Sequence, residues 1–289
     1  MKIGICGLGL IGGSMAKAYK KEDHIVYGHD KDPSTLELAK RKGIIDAALD
    51  DQNIAQCDAV FVALYPTATI EYMKHIAPLL SPDTFVMDLC GTKRTVCKVG
   101  FALAEEYGFT YIGGHPMAGT HFSGIRYADE GLFNGAPLVI VVPNGREEDV
   151  ELLERIRAVV SPAHFGRLSL STAEDHDRII AFTSQLAHVV SNAYVKSPSA
   201  RLHKGFSAGS YRDLTRVAWL NETMWTELFL QNGDYLADEI DSIIGSLTEY
   251  RDAIRDGDAE RLRSILRDGR LAKESIDGSA EPTGMNRRS

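Results

Sequence analysis

The sequence predicts an α/β fold, a mostly parallel sheet domain followed by an all-helical domain. Three observations carry this. Short apolar strands alternate with helices through the first half of the chain. A glycine-rich turn joins the first strand to the first helix. Strand signals stop near residue 168, and every periodic segment beyond it is helical. Alternation of this kind marks an open sheet with helices on its faces. The predicted organisation is one domain over 1–168, a second over 169–276, and a polar, Pro- and Gly-bearing tail over 277–289 that has the composition of a disordered segment.

The first strand, Lys2–Cys6, runs into Gly7-Leu8-Gly9-Leu10-Ile11-Gly12. A helix follows, and a second strand, Ile25–His29, ends beside Asp30. Each glycine has a mechanical use. Gly7 permits a tight turn, Gly9 lets the backbone approach a pyrophosphate, and Gly12 lets helix and strand pack closely. The helix N-terminus offers unpaired N–H groups to phosphate, and Asp30 can accept hydrogen bonds from a ribose diol. Gly7, Leu8, Gly9, Leu10, Ile11, Gly12 and Asp30 are therefore the expected cofactor contacts of a Rossmann-type domain.

Further strands are predicted over Ala59–Ala63, Thr84–Asp88, Thr110–Gly113 and Leu138–Val142, most of them Val- and Ile-rich as buried parallel strands are. Helices are expected over Ser34–Lys42 and Thr95–Tyr107, then over Glu147–Val160, with a last strand at His164–Leu168. One long helix is predicted from Thr172 to about Val195, capped by Ser171 or Thr172 and carrying Glu174 and Asp175 in its first turn. Lys196-Ser197-Pro198-Ser199 breaks it. Helix resumes over Tyr211–Leu220, again past Asn221, and finally over Asp258–Leu271.

Composition narrows the function. The 289 residues carry a formal net charge of −8, which argues against a nucleic-acid binder. No apolar run is long enough to span a bilayer, and the chain opens directly on a strand, so no signal peptide is expected. The four cysteines, Cys6, Cys57, Cys90 and Cys97, lack metal-ligand spacing and read as reduced core thiols. A cytoplasmic enzyme without a metal is the expectation.

In open α/β sheets the ligand crevice lies beyond the carboxyl ends of the strands. Leu64 and Tyr65, just past the third predicted strand, would flank the nicotinamide side. Thr92 follows the strand ending at Asp88. His115 stands in Gly113-Gly114-His115-Pro116, where a strand end can aim an imidazole at the crevice, and histidine titrates near neutrality as a general base should. Ser184 and His188 share a helix face, and Arg212 and Arg216, one turn apart, can clamp a carboxylate or simply form a solvated basic face. His176, His203 and His121 have weaker claims, with surface roles expected for His176 and His203.

With these residues in view, the chain resembles the prephenate dehydrogenase family, which includes arogenate dehydrogenases. The resemblance runs to about residue 275 and is carried by Gly7 to Ser14, by Gly114-His115-Pro116-Met117-Ala118-Gly119-Thr120, by Asp213-Leu214-Thr215-Arg216-Val217-Ala218, and by Asp175-His176-Asp177 with Ser184 and His188 beyond. It implies oxidative decarboxylation of prephenate to 4-hydroxyphenylpyruvate on the path to tyrosine. His115 would take the proton of the ring hydroxyl while hydride leaves for the nicotinamide. Arg216 would bind a substrate carboxylate, His188 and Thr120 would line the pocket, and the helical domain would dimerise.

Two departures stand out. The family often has Gly-Ser-Val-Lys after the strand ending at Asp88; here Gly91 takes the serine's place, so Thr92 substitutes or the contact is missing. The family's Ser-His-Leu-Pro-His is Ser184-Gln185-Leu186-Ala187-His188, which replaces a titratable side chain by a neutral one. Asp30 would repel a 2′-phosphate and favours NAD, while Lys31 beside it leaves NADP open. Arogenate is the alternative substrate. A 3-hydroxyacid dehydrogenase or imine reductase of similar layout is disfavoured, because those relatives use a lysine on the long helix and this chain has Lys196 only at its end. A non-catalytic nucleotide sensor is disfavoured by His115 and Arg216.

Overall fold

A computed structural model describes residues 1–120 and 122–278. His121 and residues 279–289, most of the expected tail, lie outside the described residues. Among the described residues, strands β1 (Lys2–Cys6), β2 (Ile25–His29), β3 (Ala47–Ala48), β4 (Ala59–Val62), β5 (Phe85–Asp88), β6 (Thr110–Pro116), β7 (Pro137–Val141) and β8 (Arg167–Leu170) form one sheet in the order β3-β2-β1-β4-β5-β6-β7-β8. The strands from β3 to β6 pair in parallel. β7 then runs antiparallel to β6, and β8 parallel to β7. Strand order reverses between β1 and β4, and the crevice for a ligand opens above that point.

Both sheet faces are covered, so the strands are apolar on both. In β4, Ala59 and Phe61 enter one core with Ile3, Ile5 and Met87, while Val60 and Val62 enter the other with Val86 and Tyr111. This is the two-residue alternation of a strand.

The helices are α1 (Leu10–Lys21), α2 (Pro33–Arg41), α3 (Pro66–Ile76), α4 (Arg94–Tyr107), α5 (Val150–Val160), α6 (Ala173–Ile180), α7 (Ala187–Tyr194), α8 (Gly209–Thr215), α9 (Glu222–Gln231), α10 (Gly233–Asp256) and α11 (Ala259–Asp277). The chain forms two compact units, Met1–Leu236 and the part from Ala237 onward. The segment 169–236 thus belongs to the same unit as the sheet. In the second unit, α11 starts at the Asp258 cap, whose side chain accepts from the Arg261 N–H. Ile244, Leu247, Ile254, Leu266, Leu271 and Ile276 are exposed there. No described helix is long and apolar enough to cross a membrane.

Several elements depart from expectation for local reasons. β6 continues to Pro116, because β7 extends its ladder with the pairs His115–Val139 and Pro116–Leu138. His115 therefore sits in a strand, not a turn. The last strand begins at Arg167, not His164, since His164 adopts a left-handed conformation (φ 54°) that ends the preceding turn. α5 starts at Val150, where Asp149 accepts from the Leu152 N–H as its cap. The long helix predicted from Thr172 is interrupted: Ala181–Leu186 forms a π-helical stretch between α6 and α7. Helix after Tyr211 stops at Thr215, and α11 reaches Asp277.

Candidate active site

The glycine turn has the shape of a phosphate cradle. Gly7 has φ +86°, and a Cβ there would stand 2.4 Å from the Ala63 carbonyl oxygen. A Cβ on Gly12 would stand 1.8 Å from the Gly7 carbonyl oxygen. Beside Gly9 the space is open, and Gly9 caps α1 without any side-chain bond, so no side chain occupies the first-turn N–H groups from the cap. Leu8 is wholly buried, and its side chain joins the core beneath the turn. Asp30 accepts from the Leu8 N–H at 2.8 Å and the Asp32 N–H at 2.9 Å, tying the turn to the end of β2. A carboxylate has lone pairs beyond these two bonds. The Leu64 side chain packs against Gly7, and exposed Tyr65 caps α3, so the loop after β4 borders the cradle. These residues fit a dinucleotide.

His115 lies half-buried near the end of β6. Its Nδ1 is 2.8 Å from Nε2 of His176, and His176 Nδ1 is 2.7 Å from Asp177 Oδ1. The expected surface role of His176 is therefore incorrect. It is 3% exposed, because α6 packs on α4 and directs the first-turn residues 176 and 177 inward. Asp177 also accepts from the backbone N–H groups of Lys93 at 2.7 Å and Arg94 at 2.9 Å. Beneath them the wholly buried Lys93 ammonium pairs with Asp88, whose other oxygen accepts from the Tyr111 hydroxyl at 2.6 Å. Burial pulls the Lys93 ammonium down, but Asp88, together with Cys90 and Cys97, outweighs it and holds the group above its ordinary value. Burial, His176 and Lys93 together push the His115 pKa well below the usual histidine range.

The free nitrogen of His115 faces the loop after β5. A Cβ on Gly91 would come within 3.9 Å of His115 Nε2 and 3.3 Å of the Leu228 side chain. The place of the family's serine is thus directly over the imidazole. The Thr92 hydroxyl is buried and donates to Gln231 Oε1 at 3.0 Å.

Helix α9 bridges the two halves of the site. Its Leu228 borders Gly91, and Glu227 accepts from the Thr67 N–H at 2.6 Å at the start of α3. One turn earlier, Trp225 packs on His188 with ring centroids 4.0 Å apart. His188 Nδ1 donates to the Ser184 carbonyl at 2.8 Å, and burial, opposed by this bond and aided by the nearby Arg216 charge, lowers its pKa. Arg216 is exposed and makes no ion pair among the described residues. The Ser191 hydroxyl donates to the Leu214 carbonyl at 2.7 Å, which fixes α8 against α7. Arg212 is exposed, with Nε 3.8 Å from Asp213. Thr120 is exposed after β6, its hydroxyl accepting from the Phe122 N–H at 3.2 Å. The structure therefore joins His115 to Gly91 and Leu228, and His188 to Arg216 and Trp225, with α9 as the common element.

Sequence reasoning missed the buried polar frame around these groups. Gln185 is 1% exposed; its amide donates to the Leu228 carbonyl at 3.2 Å, and its oxygen accepts from Asn232 at 2.8 Å. Asn232 also donates to the Asp177 carbonyl at 2.8 Å and accepts from Arg94 at 3.0 Å. The one signal available was the run Asp175-His176-Asp177 itself. Among the described residues no cluster of three or more His, Cys, Asp or Glu is arranged to hold a metal ion.

A family model described as "Prephenate dehydrogenase, nucleotide-binding domain" matches residues 15–165, and one described as "Prephenate dehydrogenase, dimerization domain" matches residues 172–268. The prephenate dehydrogenase of Bacillus subtilis (strain 168) is 32% identical over 289 residues, covering 95% of this chain and 75% of that protein. The structure of prephenate dehydrogenase from A. aeolicus in complex with hydroxyphenyl propionate and NAD+ superposes with a TM-score of 0.80 at 26% identity, covering 96% of this chain and 98% of that one. Synechocystis arogenate dehydrogenase superposes with a TM-score of 0.76 at 28% identity, covering 95% and 99%. A glycine cradle, a strand-borne imidazole and a helical half with its own cation thus sit in a chain that matches one family through both halves: it belongs to the prephenate dehydrogenase family and is a dehydrogenase of that type.

Proposed function

We propose that the chain oxidatively decarboxylates prephenate to 4-hydroxyphenylpyruvate, using NAD, in tyrosine biosynthesis. The observation that carries this is His115, whose Nε2 makes no hydrogen bond among the described residues and faces Gly91 beneath α9. In this reading residues 1–168 are the cofactor domain and 169–276 the helical substrate and dimerisation domain. Gly7, Leu8, Gly9, Leu10, Ile11 and Gly12 cradle the pyrophosphate at the start of α1, Asp30 holds the adenosine ribose, and Leu64 and Tyr65 border the nicotinamide. When bound, NAD supplies the hydride acceptor. His115 takes the proton of the ring hydroxyl. Arg216 binds a substrate carboxylate, and His188, packed on Trp225, lines the pocket with Ser184, Thr92 and Thr120 around it. Arg212 supports the same charge from one turn away. Asp30 disfavours a 2′-phosphate, so NAD is preferred to NADP.

The chain acts as a homodimer through its helical part, in the cytoplasm. The dimerization family model over 172–268 and the exposed apolar side chains of α10 and α11 support the first. Four free, buried cysteines suit the second. The test is a side-by-side steady-state assay of prephenate and arogenate with NAD and with NADP. The expected outcome is a highest kcat/KM for prephenate with NAD. A higher value with arogenate transfers the assignment to that substrate, and no turnover of either removes it. A lysine-based reaction of the 3-hydroxyacid type has little support, because α6, the π stretch and α7 carry no lysine.

A further inference from the structure

Behind His115 two buried groups stand in a line. Asp177 is 1% exposed and receives two main-chain donors in addition to His176. The Arg94 Nε also lies 3.4 Å from it. Burial alone would raise the Asp177 pKa, but the His176 bond and the backbone N–H groups hold it below the ordinary value, so the carboxylate is ionised. An ionised carboxylate only accepts hydrogen bonds. His176 must therefore carry its proton on Nδ1. A neutral imidazole protonated there has a lone pair on Nε2, so the 2.8 Å contact is donated by His115 from its own Nδ1–H. That leaves His115 Nε2 unprotonated, on the side that faces Gly91.

We propose that His176 and Asp177 are positioning residues that hold His115 as its Nδ1–H tautomer, keep Nε2 free as the proton acceptor, and stabilise the imidazolium that forms there. The proposal rests on the reading of His115 as the base. One proton moves: the substrate O–H bond breaks, its electron pair stays on oxygen to form the carbonyl as hydride leaves for NAD, and an N–H bond forms at Nε2. His176 and Asp177 keep their own protons. The charged groups that face this line are Lys93 with Asp88 from below and Arg94 beside Asp177. Burial pushes the His176 pKa down and Lys93 adds to this, while Asp177 and Asp88 oppose it.

The proposal is tested on the full chain in three ways. Nitrogen-15 spectra of histidine-labelled wild type should show His115 protonated on Nδ1 at neutral pH; protonation on Nε2 overturns the proposal. His176→Leu should lower kcat by about 10²-fold or more, the scale of general-base catalysis. His176→Gln can still accept from His115 and donate to Asp177, so it should stay within about tenfold of wild type. Wild-type turnover in His176→Leu overturns the proposal. Asp177→Asn removes the charge that supports the imidazolium, so kcat should fall by about 10²–10⁴-fold, and the acid limb of kcat/KM should move to lower pH. A purely structural role would leave that limb in place, and an unmoved limb counts against the proposal. NAD affinity at the glycine cradle reports that each variant is folded. If His115→Asn keeps its turnover, the base assignment itself fails. If it collapses while His176→Leu and Asp177→Asn turn over normally, the positioning role alone fails.

Discussion

His115 and His176, separated by 61 positions in sequence, share a hydrogen bond of 2.8 Å between Nδ1 and Nε2. One ring belongs to a strand of the sheet and the other to the first turn of α6, so the bond fastens the helical segment to the strand that carries the proposed base. His115→Asn keeps a side chain that can bond His176 but has no basic nitrogen. Its kcat should fall by about 10²–10⁴-fold, with the NAD dissociation constant unchanged, as read by steady-state kinetics and fluorescence titration. Near-normal turnover would remove His115 from the chemistry.

Arg216 and Arg212 should separate cleanly. Arg216 stands near His188 and makes no ion pair among the described residues, whereas Arg212 lies beside Asp213 in solvent. Arg216→Ala should raise the KM for prephenate by about 10–100-fold, the worth of a charge-assisted hydrogen bond, and Arg212→Ala should raise it far less. Equal KM values for wild type and Arg216→Ala would place the carboxylate clamp elsewhere.

Acid should destabilise the fold from pH 6.5 downward. Burial lowers the pKa values of His115, His176 and His188 in the native state. The unfolded chain then binds protons first as pH drops through the ordinary histidine value. Stability is full above that value and is lost below it, by about 1.4 kcal/mol per pH unit for each such histidine. Urea melts between pH 8 and pH 5 measure the slope, and His176→Gln should make it shallower. A slope indifferent to that substitution would show that His176 protonates equally in both states.

Asn232 makes three side-chain bonds, to Asp177, Gln185 and Arg94. Truncation to alanine strands buried partners on every side and should cost about 2–3 kcal/mol. Chemical denaturation checks this. A loss under about 0.5 kcal/mol, the usual size of a surface change, would mean that the frame is dispensable.

With Asp30 in the proposed role of excluding a 2′-phosphate, Asp30→Ala should narrow the proposed preference for NAD over NADP by about tenfold or more. Paired kcat/KM values for the two cofactors decide it. An unchanged ratio would point to another determinant.

How far the sequence could be read depended on the range of the interactions. β1 and β2 were legible to the residue, because each carries apolar side chains at its centre and abuts turn residues. The glycine cradle and Asp30 were legible because their spacing is local. β3, only Ala47–Ala48, carries no periodic signal at all. His176 was misread because a first-turn helical residue between two acids looks solvated. It is buried against His115 of β6, and its neighbour Asp177 accepts from the Lys93 N–H, 84 positions before Asp177. Gln185 looked like a plain loss of a titratable group. Its role as a neutral strut exists only because Asn232 and the Leu228 carbonyl, both more than forty positions later, close around it.

The wide π turn at Ala181–Leu186 lies between α6 and α7 and closes its bonds over one residue more than an ordinary helical turn. Excising one residue inside it would turn those bonds into ordinary four-residue ones and leave His188 on the Trp225 ring. Substitutions within the stretch that keep its length should leave the orientation of the downstream helix intact. A one-residue deletion in α6 itself would instead swing His188 by about 100° and should behave like the loss of a whole pocket wall.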